Sequence, residues 1–367
     1  MTTDSPTYTL TERADLLGYV PYLLGFHPAD SVVVLGLTDR RIGVAARADL
    51  GQPHAETARR LGGLLTAAGR GRVAITSVLL VGYGPDPAAA DATREVADAL
   101  DARGYHVREV LLHAGDRYHC LQCDDCTPPG GAPFDLSRTA AAAIATYQGL
   151  VAQPDRAAVE QLVQPVGGLA AIAMAQAVDR AEERLAALLR DGADRPRRDD
   201  PVATGDAGGS GDAGGSGGSG DAGGSGGSGG KAGDAADDRL VRAGTAAVEQ
   251  ALRVAEAGGR LDDDQAAWLT VLLLDLRCRD HAWQLTDTEP WQLDLWLDLT
   301  RRGEPALLAP IASLLAWCAW RSGNGVLAGA ALRRALLADP AYTLAHLLGE
   351  ALEHAVPPGS VGPWPAR

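Results

Sequence analysis

The sequence predicts an α/β amino-terminal domain, with a mixed, partly parallel sheet flanked by helices, followed by an all-α helical domain with a tetratricopeptide-like unit. Strand-like runs alternate with helical periods before residue 137, and only helical periods follow it. A tract containing nothing but Gly, Ser, Asp and Ala then divides the helical half. These observations place an α/β domain at 1–136 and a helical domain at 137–195 and 237–356. A disordered Gly/Ser/Asp-rich linker is expected at 196–236 and a Pro-rich tail at 357–367.

Thr9-Leu-Thr-Glu12 reads as a capping box, in which a Thr oxygen takes the amide three residues on and Glu reaches back. A short helix should follow through Ala14, Leu16 and Leu17, disturbed by Gly18 and Pro21. Residues 31–37 (SVVVLGL) form a continuous, β-branched run, as in a strand covered on both faces. The run 41–48 should pair with it as a hairpin turning at Asp39-Arg40. Helical period returns over 54–68, with Leu61, Leu64 and Leu65 on one stripe. A strand is predicted over 74–81, a helix over 91–103 ending at Gly104, and a strand over 107–113. From Ser137 onward, helices are expected at 138–151, 155–163, 167–190, 237–257, 262–276, 291–302, 306–321, 324–338 and 343–354. Between them, residues 205–230 bury nothing; as a flexible coil that segment spans about 28 Å.

Composition removes several chemistries. Of 367 residues, 46% are apolar and 22% charged, which suits two globular cores. A net charge of −14 opposes a bulk electrostatic grip on nucleic acid or an anionic membrane. The one lysine, Lys231, lies in the glycine-rich stretch, so no P-loop, pyridoxal or Schiff-base lysine can be held at a site. G-x-S-x-G outside the glycine tract, H-E-x-x-H, kinase and EF-hand patterns are all absent. The polar opening lacks a secretory signal's apolar core, and the longest uncharged stretches are short for a membrane span. Five cysteines, three of them crowded together, do not form a secreted disulfide framework, so the chain is expected to be cytoplasmic and reduced.

Four features could carry chemistry. The run Tyr118-His119-Cys120-Leu-Gln-Cys123-Asp-Asp-Cys126 holds two overlapping C-x2-C spacings, which can bring thiolates to one ion. Cys120, Cys123 and Cys126 with His119 or His113 would complete a tetrahedral zinc site. An iron–sulfur site, short of its usual fourth Cys, a redox pair between Cys120 and Cys126 or adjacent members of the run, and an ion-free turn at the sheet edge are the alternatives. Gly82-x-Gly84 follows a buried strand and precedes a helix, where backbone amides can meet a ligand. Arg47 and Asp49 end a strand near that edge; a tight turn and a solvated edge explain the same residues. His346, Glu350 and His354 share one helix face opposite a leucine stripe, the pattern of a wet surface. All seven tryptophans follow residue 260 and read chiefly as core filler, Trp364 excepted. The small-residue spacing of Ala316, Gly323, Ala328, Leu332, Ala335 and Pro340 suggests the single tetratricopeptide-like unit.

The opening block Ala14-Asp-Leu-Leu-Gly-Tyr-Val-Pro-Tyr-Leu-Leu-Gly-Phe-His-Pro-Ala-Asp-Ser-Val-Val-Val34 resembles the start of the actinobacterial family catalogued as domain of unknown function 4192. Arg47-Ala-Asp49-Leu50, the turn from Tyr118 to Gly130, Arg279-Asp280, and the blocks 315–325 and 335–342 resemble its further markers. The resemblance implies a paired Cys before the loop proline. Here Thr127 takes the second place and Cys123 is additional, which weakens a shared metal role. It implies no activity. The function expected from the whole is a non-enzymatic, cytoplasmic adaptor or regulatory protein. It would bind a protein or peptide through its helical domain, with the α/β domain as a structural or small-ligand-sensing module. The competing expectation is a metal-binding or thiol-redox module at Cys120–Cys126 beside the Gly82–Gly84 edge.

Overall fold

The chain opens with α1 (Arg13–Leu24), which runs unbroken through Gly18 and Pro21 to Gly25, a C-cap in the left-handed region (φ 79°). The structure is a computed structural model describing residues 9–39, 41–51, 53–69, 74–190, 229–354 and 356–361. No capping box starts α1: Glu12 itself is the N-cap and makes no side-chain cap bond. Thr11 Oγ1 instead donates to Asp15 Oδ2 at 3.5 Å.

A mixed six-stranded sheet follows. Its strands are β1 (Ser31–Thr38), β2 (Arg41–Asp49), β3 (Ser77–Tyr83), β4 (His106–Ala114), β5 (Arg117–Cys120) and β6 (Ala132–Pro133), in the order β2-β1-β3-β4-β5-β6. β1 and β2 form the expected hairpin, and β3 and β4 form the parallel pair, while the other pairings are antiparallel. β5 and β6, with four and two residues, are too short to show an alternating pattern in sequence. Two helices, α2 (His54–Ala68) and α3 (Ala88–Asp101), cover one face through Leu61, Leu65, Val96 and Leu100, packed on Val32, Val34, Leu80 and Val110.

The other face carries Val33, Leu35, Val81, Tyr83 and Leu111. A single hydrophobic cluster runs from it through Leu17, Val20, Leu24 and Phe26 into the helical half. That half comprises α4 (Ala140–Tyr147), α5 (Arg156–Leu162), α6 (Leu169–Arg190), α7 (Gly229–Glu256), α8 (Asp263–Leu272), α9 (Leu276–Leu285), α10 (Pro290–Arg302), α11 (Leu308–Arg321), α12 (Gly325–Ala338) and α13 (Thr343–Glu353). No strand follows β6 among the described residues, so the helical half buries itself by helix packing.

The expected helix at 262–276 ends early, at Leu272, and an unexpected helix follows it. The Asp275 carboxylate accepts from the Arg277 amide at 2.9 Å and starts α9, a separate helix. The expected linker is also shorter at its far end. α7 begins at Gly229, inside 196–236, because lengthening a formed helix needs no new nucleus. Residues 196–228 lie outside the described residues.

Trp296 is fully buried, with its indole N–H on Thr286 Oγ1 at 3.1 Å, and the Trp317 N–H donates to the Thr286 carbonyl at 2.9 Å. Trp268 and Trp320 are buried too, whereas Trp364 lies outside the described residues. His346, Glu350 and His354 are exposed on α13, with His346 Nε2 2.8 Å from the Pro340 carbonyl oxygen.

Three backbone junctions tie the halves together. The Phe26–Gln153 bridge is closed by Gln153 N–H to Gly25 O (2.8 Å) and His27 N–H to Gln153 O (2.9 Å). Gly25 sits against Asn324, whose side chain caps α12 through the Leu327 amide at 3.0 Å. At the third junction Gly18 lets α1 approach Thr139, the N-cap of α4; a Cβ there would come within 2.8 Å of Thr139 Cβ and overlap its hydroxyl. Gly18→Ala should therefore lower stability by about 1–3 kcal/mol through overpacking. Gly349→Ala, in a helix with open space around it, should add up to about 1 kcal/mol. Urea unfolding of the two variants checks the contrast.

Candidate functional site

At the carboxyl ends of the parallel strands β3 and β4 the sheet opens into a cleft of about 1150 Å³. Ligands of open α/β sheets bind at this edge because the chain leaves the sheet there and frees space and backbone groups. Tyr83 and His113, which pair across the two strands, form the floor. The first turns of α1 form one wall, and 133–140, the passage into the helical half, forms the opposite one.

The polar chemistry of the cleft is unusual in two respects. The Tyr83 hydroxyl is buried without a hydrogen-bond partner, and burial pushes its pKa well above the ordinary phenol value. His27 and His113 both have pKa values lowered by burial, so both rings are neutral at pH 7. The His113 ring lies 5.4 Å from that of Tyr83 and 5.0 Å edge-on to Phe134, which fixes its plane. Among the charged residues lining the cleft, four are acids (Glu12, Asp15, Asp116 and Asp135) and one is basic, Arg138. The Asp15 carboxylate also accepts from the Ala141 amide at 3.4 Å, in the first turn of α4.

The cysteine loop lies at the sheet's far edge, on the face that α1 covers. Cys123 and Cys126 are joined as a disulfide, and Cys120 Sγ is 3.4 Å from Cys123 Sγ. The three sulfurs lie within 4.8 Å of one another and form the one group of potential metal ligands among the described residues. Cys120 pairs with Leu111 and His119 with Leu112, so the two neighbours project to opposite faces of the sheet. His119 packs instead on Gly131, where a Cβ would come within 2.7 Å of its ring. His113 belongs to the cleft. The two remaining cysteines, Cys278 and Cys318, are buried thiols pushed up to about 11 and about 12 by burial, which keeps them protonated.

The glycine edge is used for packing. A Cβ on Gly82 would overlap the Thr93 hydroxyl of α3, so this glycine sets the distance between strand and helix. Gly84 has φ 145°, and its N–H donates to the His113 carbonyl at 3.3 Å. Arg47 Nη2 donates to the Ala29 carbonyl at 3.0 Å, Nη1 pairs with Asp49 at 2.7 Å, and the guanidinium lies 5.7 Å from the Phe26 ring centroid. Arg47 and Asp49 thus hold the loop that carries His27, and neither lines the cleft. Sequence reasoning passed over His27, Tyr83 and Asp15. The available signal was that all three lie in or beside the specific opening block and the Gly-Tyr-Gly turn.

A family model described as Domain of unknown function (DUF4192) matches residues 14–209 and 224–359, nearly the whole chain. The chain belongs to the DUF4192 family. No significant match was found among curated proteins or among solved structures. The DUF4192 match takes in both walls of the cleft from Ala14 onward, the cysteine loop and the helical half.

In this DUF4192 chain the cleft histidines bind a proton less readily folded than unfolded. Stability should therefore fall as pH drops below the ordinary histidine value of 6.5 toward their folded values, and level off above it. His113→Gln should flatten part of that fall, as read from urea midpoints between about pH 5 and 8. Gly82→Ala should destabilise by about 1–3 kcal/mol, and adding Thr93→Ala should recover part of the loss. A double-mutant cycle measures that coupling.

Proposed function

We propose that the protein is a non-enzymatic, cytoplasmic regulatory or adaptor protein. It holds a small cationic or hydrogen-bond-donating molecule in the cleft and meets a protein or peptide through its helical half. One observation carries the reading: a large cleft between both halves, lined by Tyr83, whose buried hydroxyl has no partner among the described residues. Buried polar groups are nearly always bonded, so a solitary one on a residue that lines a cavity suits a ligand that supplies the missing bond when the lining yields to it. Four carboxylates against one guanidinium, with both histidines neutral, favour an amine over a phosphate or a carboxylate.

The helical half supports the second part. Tyr147, Val151, Leu169 and Ile172 are 93%, 67%, 84% and 56% exposed, large apolar side chains open to a partner within residues 147–172. The hairpin of α11 and α12, closed on the buried Ala316, Ala328, Ala331 and Ala335, is the part of this half that we read as tetratricopeptide-like.

A thermal-shift series of amines, neutral polyols and anionic metabolites tests the cleft. Amines should raise the melting temperature, and anions should not. Tyr83→Phe should stabilise the free protein by up to about 1–3 kcal/mol, the cost of an unsatisfied hydroxyl, and should lose part of the amine response. Stabilisation by anions alone, or by none of the three classes, would end this reading.

A further inference from the structure

The cysteine loop is independent of the cleft proposal, and its geometry supports a second site. We propose that Cys120, Cys123 and Cys126 form a redox-gated site for a thiophilic d10 cation, zinc(II), open when reduced and closed by the Cys123–Cys126 disulfide. In a tetrahedral zinc site, a bond of about 2.3 Å to each sulfur sets the sulfurs about 3.8 Å apart. Here the sulfurs already form a triangle with every side within 4.8 Å, and the Cys120–Cys123 side is 3.4 Å. Breaking the disulfide lets Cys126 relax to a similar separation, so the triangle closes on one ion with shifts of sulfur alone.

The frame that holds the triangle does not depend on the disulfide. Cys120 is fixed in β5, and its N–H donates to Thr127 Oγ1 at 3.3 Å. The Leu121 amide donates to the Val110 carbonyl at 2.8 Å, and the Gln122 side chain bonds both the Val110 amide (3.2 Å) and the Val107 carbonyl (3.4 Å). From α1, Arg13 Nη1 donates to the Cys126 carbonyl at 3.2 Å while its Nε pairs with Glu109. Zinc with three thiolates carries one net negative charge, and the Arg13 guanidinium is the cation placed to offset it. The exposed Asp124 and Asp125 favour entry of a cation from solvent. With His119 on the opposite face of β5, the fourth position stays open to water or an added ligand.

Thiol–disulfide exchange within the loop is the less suitable reading of the same sulfurs. An attacking sulfur approaches along the bond it breaks. With a bond of about 2.0 Å, that alignment would hold Cys120 and Cys126 about 5.4 Å apart, and the triangle is tighter. The balanced cycle uses small thiols. Two low-molecular-weight thiols reduce the disulfide to two protein thiols and leave as one small disulfide. The three protein thiols then release three protons on binding zinc. A low-molecular-weight disulfide reverses the first step, regenerates Cys123–Cys126 and expels the ion.

The test uses the full chain without a histidine tag, reduced and freed of reductant without air, then titrated with zinc against a chromophoric chelator. The reduced protein should take up one equivalent, and the protein oxidised with a small disulfide less than about a tenth. Cobalt(II) in place of zinc should show thiolate-to-metal charge transfer. Cys120→Ser should weaken zinc by more than the roughly tenfold that losing a hydrogen-bond partner of a ligand costs, while the Cys123–Cys126 disulfide still forms. Thermal melting checks that this variant folds; if it does not, the exposed Cys126→Ser is read in its place. Uptake below a tenth of an equivalent by the reduced protein, affinity unchanged in the folded variant, or zinc retained after oxidation would each overturn the proposal.

Discussion

Burial of both faces of β1 and β3 is the constraint on which the rest of the fold depends. Val32 and Val34 face α2 and α3, while Val33, Leu35, Val81 and Leu111 face α1 and the cluster beyond it, all nearly inaccessible. Uncovering a valine or leucine forfeits about 1.5–3 kcal/mol. The four residues on the α1 side thus stand for more than about 6 kcal/mol, comparable with the whole stability of a typical domain. One twelve-residue helix is narrow cover for a six-stranded sheet. The chain completes that cover with the helical half, through Phe26, Gly25 and the seat of Asn324.

The cleft follows from the same arrangement. α1 lies across the sheet, and its first turns and the 133–140 segment stand apart at the carboxyl edge of β3 and β4. Side chains at that edge leave the apolar cover without reaching bulk water. Tyr83 consequently keeps a buried hydroxyl without a partner, and His27 and His113 lose the solvation that would favour their charged forms. The cleft spans the junction of the two halves, so an occupant would touch the sheet and the entry to the helices together.

The sequence made some of this legible and concealed the rest for identifiable reasons. SVVVLGL announced a strand covered on both faces because the six residues from Val32 to Leu37 leave no polar side. The long amphipathic helices were visible through their period. β5 and β6 were not, because two to four residues carry no period. That omission had a consequence at the cysteine loop. Once Tyr118-His119-Cys120 is a strand, adjacent residues must point to opposite faces, and His119 separates from the three sulfurs. The cleft was concealed for a topological reason. Its lining joins Thr11 to Thr139 across intervening strands, and no local pattern records a contact of that range.

Arg13 is where the two sites meet. It lies in the first turn of α1 between Glu12 and Ala14, both of which line the cleft, and its own side chain turns the other way. There it pairs with Glu109 on β4 and holds the carbonyl of Cys126, the half of the disulfide nearer to solvent. Closing or opening the proposed sulfur triangle would move Cys126 more than Cys120, because Cys120 is fixed by β5 and Cys126 lies in the exposed turn. The guanidinium therefore bonds the exposed corner of one proposed site from the wall of the other. Its second anchor, Glu109, belongs to β4, the strand that also carries His113, so both ends of this link belong to elements that build the cleft. A ligand that repositions the first turn of α1 and an ion that gathers the three sulfurs would thus act on the same side chain.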